Sequence, residues 1–210
     1  MIKLTNTDLL LVIDVQNDFC PNGALAVPDG DAIVSGINDL LEIFPNRVFT
    51  QDWHPTGHSS FASSHADGAP FGSIDMPYGP QTLWPDHCIQ GSKGAEFHQN
   101  LKTEKAQAII RKGTRPEVDS YSAFVENDQK TLTGLSGLLS TLEIERVFLT
   151  GLATDFCVGF SALDAVKFGF ETYVVEDLCR AIDLDGSLDT AYDKFKASGI
   201  HCIKAVDIQS

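Results

Sequence analysis

Positive charge is scarce in this sequence. Of 210 residues only 15 are Lys or Arg, against 29 Asp or Glu, for a formal net charge of −14. Nucleic-acid binding needs clustered Lys and Arg on the phosphates, so that class is excluded. Docking on an anionic membrane surface is excluded for the same reason. No apolar run approaches the roughly 18 residues of a membrane span. The opening Met1–Asp8 stretch lacks the basic segment and apolar core of a secretory signal, so a cytoplasmic protein is expected. Also missing is any CxxC pair. The five cysteines, Cys20, Cys88, Cys157, Cys179 and Cys202, are odd in number and widely spaced. Neither a zinc ribbon nor a disulfide framework fits them, and reduced thiols are expected. There is no repeat, low-complexity tract or linker, and the length suits one domain over residues 1–210. A homodimer stays open, because interface apolar patches read like core.

Six short apolar runs read as strands: Leu9–Ile13, Arg47–Thr50, Ala108–Ile110, Arg146–Thr150, Thr172–Val175 and Ile200–Ile203. Runs without alternation suit strands covered on both faces. Helical spacing lies between most of them, over Ala32–Phe44, Thr133–Leu142, Phe156–Phe168 and Leu188–Ala197. The pattern predicts an α/β protein: a Rossmann-like, three-layer α/β/α fold with a central six-stranded parallel sheet. The exception is the stretch from about residue 53 to 93. It is rich in Gly, Pro, Ser and His, yet carries Trp53, Phe61, Phe71, Tyr78 and Trp84. So many aromatics argue for an ordered loop packed over a site.

Ligands of open parallel sheets bind beyond the carboxyl ends of the strands. Four strand ends deliver reactive side chains there: Asp14; Asp52 with His54; Lys112; and Cys157. Thr154 or Asp155 is a candidate helix N-cap, which puts Cys157 in a first helical turn. A helix start stabilises a thiolate, and its free N–H groups can hold an oxyanion. Asp14 follows five apolar residues, and its desolvated carboxylate suits proton transfer from the thiol. Lys112 balances that charge; without Cys157 the same two residues read equally well as a structural ion pair.

Asp52 and His54, at i and i+2 of an extended segment, point the same way. His87 is a candidate third ligand from the long loop. Imidazole plus carboxylate suits zinc, with iron or manganese as alternatives. His58 and His65 are assigned outer-layer or surface roles, and His98 and His201 ordinary helix or strand positions. Phe19, Trp53, Trp84 and Tyr121 are candidates for an aromatic slot, with core packing as the alternative for each.

Taken together, Asp14-Val15-Gln16-Asn17-Asp18-Phe19, Asp52-Trp53-His54-Pro55, Trp84-Pro85-Asp86-His87-Cys88, Arg111-Lys112-Gly113 and Gly151-Leu152-Ala153-Thr154-Asp155-Phe156-Cys157-Val158 resemble the nicotinamidase/pyrazinamidase family. That family lies within the isochorismatase-like cysteine hydrolases. The resemblance implies Asp14, Lys112 and Cys157 as the catalytic triad and Asp52, His54 and His87 as metal ligands. It implies Phe19 and Trp84 as walls around a pyridine ring. A cis peptide is implied at Leu152–Ala153, turning the Ala153 N–H toward the oxyanion beside that of Cys157. His58 follows His54 by four residues where the family has six, so the fourth position stays open between a protein ligand and water. The implied activity is hydrolysis of nicotinamide to nicotinate and ammonia in NAD salvage, with pyrazinamide as a further substrate. A carbamoyl amide hydrolase of the same superfamily and a non-catalytic metal- or ligand-binding module are the alternatives. The first of these lacks the Asp52, His54, His87 set.

Overall fold

The computed structural model describes residues 1–210. The strands are β1 (Ile2–Lys3), β2 (Asp8–Ile13), β3 (Asn46–Asp52), β4 (Ser73–Met76), β5 (Gly79–Thr82), β6 (Ala108–Lys112), β7 (Arg146–Leu152), β8 (Glu171–Arg180), β9 (His201–Ile203) and β10 (Ile208–Gln209). The helices are α1 (Val34–Ile43), α2 (Leu135–Thr141), α3 (Gly159–Lys167) and α4 (Ser187–Ala197). Six strands form the main sheet in the order β6-β3-β2-β7-β8-β9, and every neighbouring pair is parallel. This is the expected three-layer arrangement, and each of its six strands lies on one of the anticipated apolar runs.

β2 is buried along its whole length and divides its side chains between two cores. Leu10 and Val12 face α1, where Val34, Ile37, Leu40 and Leu41 supply the apolar stripe. Leu9, Leu11 and Ile13 face the other layer, against Leu135 and Leu139 of α2, Ala162 and Ala165 of α3, and Phe195 of α4. Period-two alternation in a strand with no polar face is what coverage on both sides requires.

The sheet's carboxyl edge is where β2 and β7 separate. Gly151 pairs with Ile13 there, at a register shift in the β7–β8 ladder. Its φ is +117°, and a Cβ would sit 2.0 Å from the Ile13 carbonyl oxygen. Only glycine permits both the backbone angle and the close approach. Gly151→Ala is therefore expected to cost about 2 kcal/mol or more. Urea denaturation checks it, and a variant within error of the parent would remove this account of the edge.

The long loop is ordered and contains the hairpin β4–β5, which the aperiodic sequence did not foretell. Phe61 bridges to Trp84 and His54 to Ile89, so the loop is tied back on itself and to the end of β3. A further short pair, β1 with β10, joins the two ends of the chain.

Candidate functional site

Each anticipated strand-end residue reaches one buried centre. Asp14 follows β2 in a left-handed conformation with φ 47°, an uncommon state for a non-glycine residue. Thr50 of β3 holds it there: the Asp14 N–H donates to Thr50 Oγ1 (3.2 Å), and the Thr50 hydroxyl donates to Asp14 Oδ1 (2.6 Å). Asp52 closes β3, its backbone clamped by Gln16, whose Oε1 accepts the Asp52 N–H and whose Nε2 donates to the Asp52 carbonyl, both at 2.8 Å. Lys112 closes β6 with a fully buried side chain. Its Nζ lies 2.8 Å from Asp14 Oδ2, 2.9 Å from Asp52 Oδ1, 2.9 Å from the Ser120 carbonyl and 3.4 Å from Cys157 Sγ.

This packing sets the charges. Burial pulls an ammonium down, but Asp14 and Asp52 outweigh it and hold Lys112 well above its ordinary value. Burial pushes the Asp14 carboxyl up, with Lys112 opposing. Asp52 is buried too, yet His54 and Lys112 hold it well below the usual carboxylate range. Burial pushes the Cys157 thiol well above 9.0; Lys112 opposes this, and Asp14 and Asp52 add to it. Burial thus works against the helix-stabilised thiolate read from the sequence and favours the thiol, for which Asp14 is the base at hand. The helix start also differs. Residues Thr154–Val158 form a wide turn in which Val158 N–H reaches the Ala153 carbonyl five residues back (3.0 Å). Neither Thr154 nor Asp155 caps it. The Asp155 carboxylate instead accepts the backbone N–H groups of Ile182 (3.1 Å) and Asp183 (2.7 Å) and the Ser187 hydroxyl (2.5 Å). The Leu152–Ala153 bond is cis.

Beside Lys112, Asp52 Oδ2 lies 3.0 Å from His54 Nε2 and 3.4 Å from His87 Nε2. These three donors lie within 4.8 Å of one another, a spacing that suits one metal ion. Their tautomers fit as well. His54 Nδ1 donates to the Gly113 carbonyl (2.9 Å) and His87 Nδ1 to the Pro85 carbonyl (2.8 Å), so Nε2 is the nitrogen of each ring that faces Asp52 and would coordinate a metal beside it. Gly113 permits this contact: at φ +63° a Cβ would sit 2.4 Å from His54 Cε1.

His58 is buried, so a surface role is ruled out. Its ring lies 4.3 Å from that of His54, but Nδ1 pairs with the Ser60 hydroxyl (2.7 Å) and Nε2 with the Val118 carbonyl (3.3 Å). His65 is half-buried and bonds the Ser59 carbonyl. His98 sits in a loop rather than a helix or strand, and His201 is on β9.

A small cavity joins the two halves of the site. Phe19, Asp52, Trp84, His87, Tyr121, Ala153 and Cys157 line it. Trp53 does not; its ring lies under the Arg111 guanidinium, 3.8 Å from the centroid. Sequence reasoning missed Leu25, Phe156, Ile182 and Asp119. Asp119, buried, has Oδ1 4.0 Å from His54 Nε2.

The architecture is that of a three-layer α/β protein whose thiol, carboxylate and ammonium meet at the carboxyl edge of the sheet, the arrangement of a cysteine-centred hydrolase. The chain belongs to the isochorismatase family, whose domain matches residues 8–207. A nicotinamidase from Acinetobacter baylyi is 50% identical over 207 residues, which cover 99% of this chain and 97% of that one. The solved nicotinamidase/pyrazinamidase of Acinetobacter baumanii superposes with a TM-score of 0.96 at 51% identity, covering 97% of this chain and 98% of that one. The pyrazinamidase of Pyrococcus horikoshii, solved in complex with zinc, gives 0.77 at 36% identity, covering 94% and 99%.

Proposed function

We propose that the chain is a nicotinamidase, hydrolysing nicotinamide to nicotinate and ammonia and accepting pyrazinamide as a related substrate. One observation carries the reading: a single ammonium, Lys112 Nζ, touches the Asp14–Cys157 pair on one side and, on the other, Asp52, whose second carboxylate oxygen faces His54 and His87. Nucleophile and metal donors are thereby fixed around one aromatic-walled cavity.

In this mechanism Phe19, Trp84 and Tyr121 hold the ring plane and bring the carboxamide carbon to Cys157. Asp14, whose carboxyl is raised by burial, takes the thiol proton as Sγ attacks. Lys112 stays protonated and faces both the thiolate and the Asp14 carboxylate. The N–H groups of Ala153 and Cys157 receive the oxyanion. Asp14 returns the proton to the departing ammonia, then takes one from the water that opens the thioester. Asp52, His54 and His87 would hold one divalent transition metal, zinc above iron or manganese, because two imidazoles and one carboxylate leave positions open. Such an ion supplies a Lewis-acidic anchor for the ring nitrogen. We assign the chain as one catalytic domain, acting in the cytoplasm in NAD salvage.

Ammonia release from nicotinamide tests the reading. Dialysis against a chelator is expected to lower it about tenfold to a hundredfold, with recovery on adding back one divalent metal. No release by the metal-loaded protein would end the assignment. Full activity after verified metal removal would end the metal's part in it.

A further inference from the structure

The catalytic cavity is too small, as it stands, for an aromatic ring. Its free volume is about 20 Å³, room for one water. A wall must move before a ring can enter. One wall is Ile182, which faces two spaces. It lines the cavity together with Leu25 and Cys157, and it also lines a surface depression together with Ala26 and Pro28. Ile182 and the Leu25–Ala26 stretch therefore stand between the cavity and solvent.

The segment that carries Ile182 is fastened at one place. The Ile182 N–H (3.1 Å) and the Asp183 N–H (2.7 Å) both donate to the Asp155 carboxylate. The Ser187 hydroxyl, where α4 starts, adds a third bond to it (2.5 Å). No other hydrogen bond joins residues 182–186 to an earlier part of the chain. Asp183, Asp185 and Gly186 are exposed, and the two aspartates have φ of 55° and 51°. These left-handed angles are uncommon outside glycine, so the segment does not keep its bend by local preference. Asp155 itself is buried and belongs to the turn Thr154–Val158 that holds Cys157. Its carboxylate thus ties the outer wall to the nucleophile's own turn.

We propose that Asp155 is a positioning residue: it latches the 182–187 segment and so holds Ile182 as the movable wall past which the ring enters and leaves the cavity. Charge-assisted bonds make the latch firm, and their placement on one side chain lets the segment release as a unit. The identity of the ring rests on the nicotinamidase reading; the latch does not.

The test reads access to Cys157 without turnover. Zinc-loaded wild type, Asp155→Asn, Ile182→Ala and the double variant are treated separately with N-phenylmaleimide, which carries a ring, and with hydrogen peroxide, little larger than water. Peptide mass spectrometry follows modification of Cys157. Asp155→Asn keeps the shape but turns an NH2 group toward a donor. It is expected to raise the ratio of maleimide to peroxide rates about tenfold, through the opening equilibrium that one charge-assisted bond controls. A change in the thiol's own reactivity would move both reagents alike and leave the ratio where it was. Ile182→Ala removes the wall and keeps the latch, and should raise the same ratio. The double variant should gain little over the larger single effect, because both act on one wall. Ser187→Ala, which removes one bond of the three, should give a smaller rise and decides the latch should Asp155→Asn not fold. Cys88, buried in the core, reports global loosening. An unchanged ratio in Ile182→Ala or in the latch variant, a rise that Cys88 shares, or effects that multiply in the double variant overturns the proposal. Ammonia release plays no part in these readings, so the latch and the nicotinamidase reading fail independently.

Discussion

Cys157→Ala is expected to abolish ammonia release from nicotinamide, by about 10⁴-fold or more, in a protein that folds and still binds the ring. The size follows from what is removed. Sγ lies 3.4 Å from Lys112 Nζ, with Asp14 beside it as base, and the variant keeps no nucleophile at that place. On the proposed reading, binding survives because the ring would be held by Phe19, Trp84, Tyr121 and the donor set of Asp52, His54 and His87 rather than by the thiol. Stability should fall only slightly, since Sγ fills little space and Lys112 keeps two carboxylates and the Ser120 carbonyl. The check is paired: steady-state ammonia release, and calorimetric titration with nicotinamide. Turnover near the wild-type rate would remove Cys157 as nucleophile. Lost binding together with lost turnover would mean that the thiol shapes the cavity rather than attacks from it.

The strand ends were readable because each short strand run closes on a charged residue at the carboxyl edge. Burial on both faces forces an unbroken apolar run in β2, while β3 and the edge strand β6 carry shorter ones. Asp14, Asp52 and Lys112 therefore announce themselves in order. Asp119 does not. Asp119 sits among Glu117, Val118 and Ser120, a stretch indistinguishable by composition from an exposed turn, and its burial arises from contacts with Gln81 and the histidines far away in sequence. The one available hint was positional, since residues 113–127 leave β6 at the reactive edge. The error at Asp155 has the same origin. An acidic residue before a helix reads as a cap, but its carboxylate is drawn to the 182–187 segment, a tertiary partner that local pattern cannot reveal. Trp53 likewise reads as a slot residue until Arg111, on the neighbouring strand, covers it.

Lys112→Met should be the most destabilising change in the site, by about 3–5 kcal/mol. A methionine fills most of the volume, so the cost is electrostatic. Asp14 and Asp52 would stay buried with no ammonium between them, and Asp52 would keep only His54 and His87. The pH dependence separates this from a packing defect. Burial already holds the Asp14 carboxyl above its ordinary 3.8 with Lys112 opposing, so removing Lys112 raises it further. A carboxyl raised in the folded state contributes stability that is fully present below its unfolded value and is lost as pH rises through its folded value. The variant's deficit should accordingly be smallest in acid and widen toward neutral pH. Urea denaturation of variant and parent, both stripped of metal, at pH 5 and pH 8 measures it. A deficit equal at both values would mean that Asp14 titrates alike with and without Lys112. The ammonium would then be a strut for the Ser120 carbonyl, and the thiol, carboxylate and metal donors would have no common charge linking them.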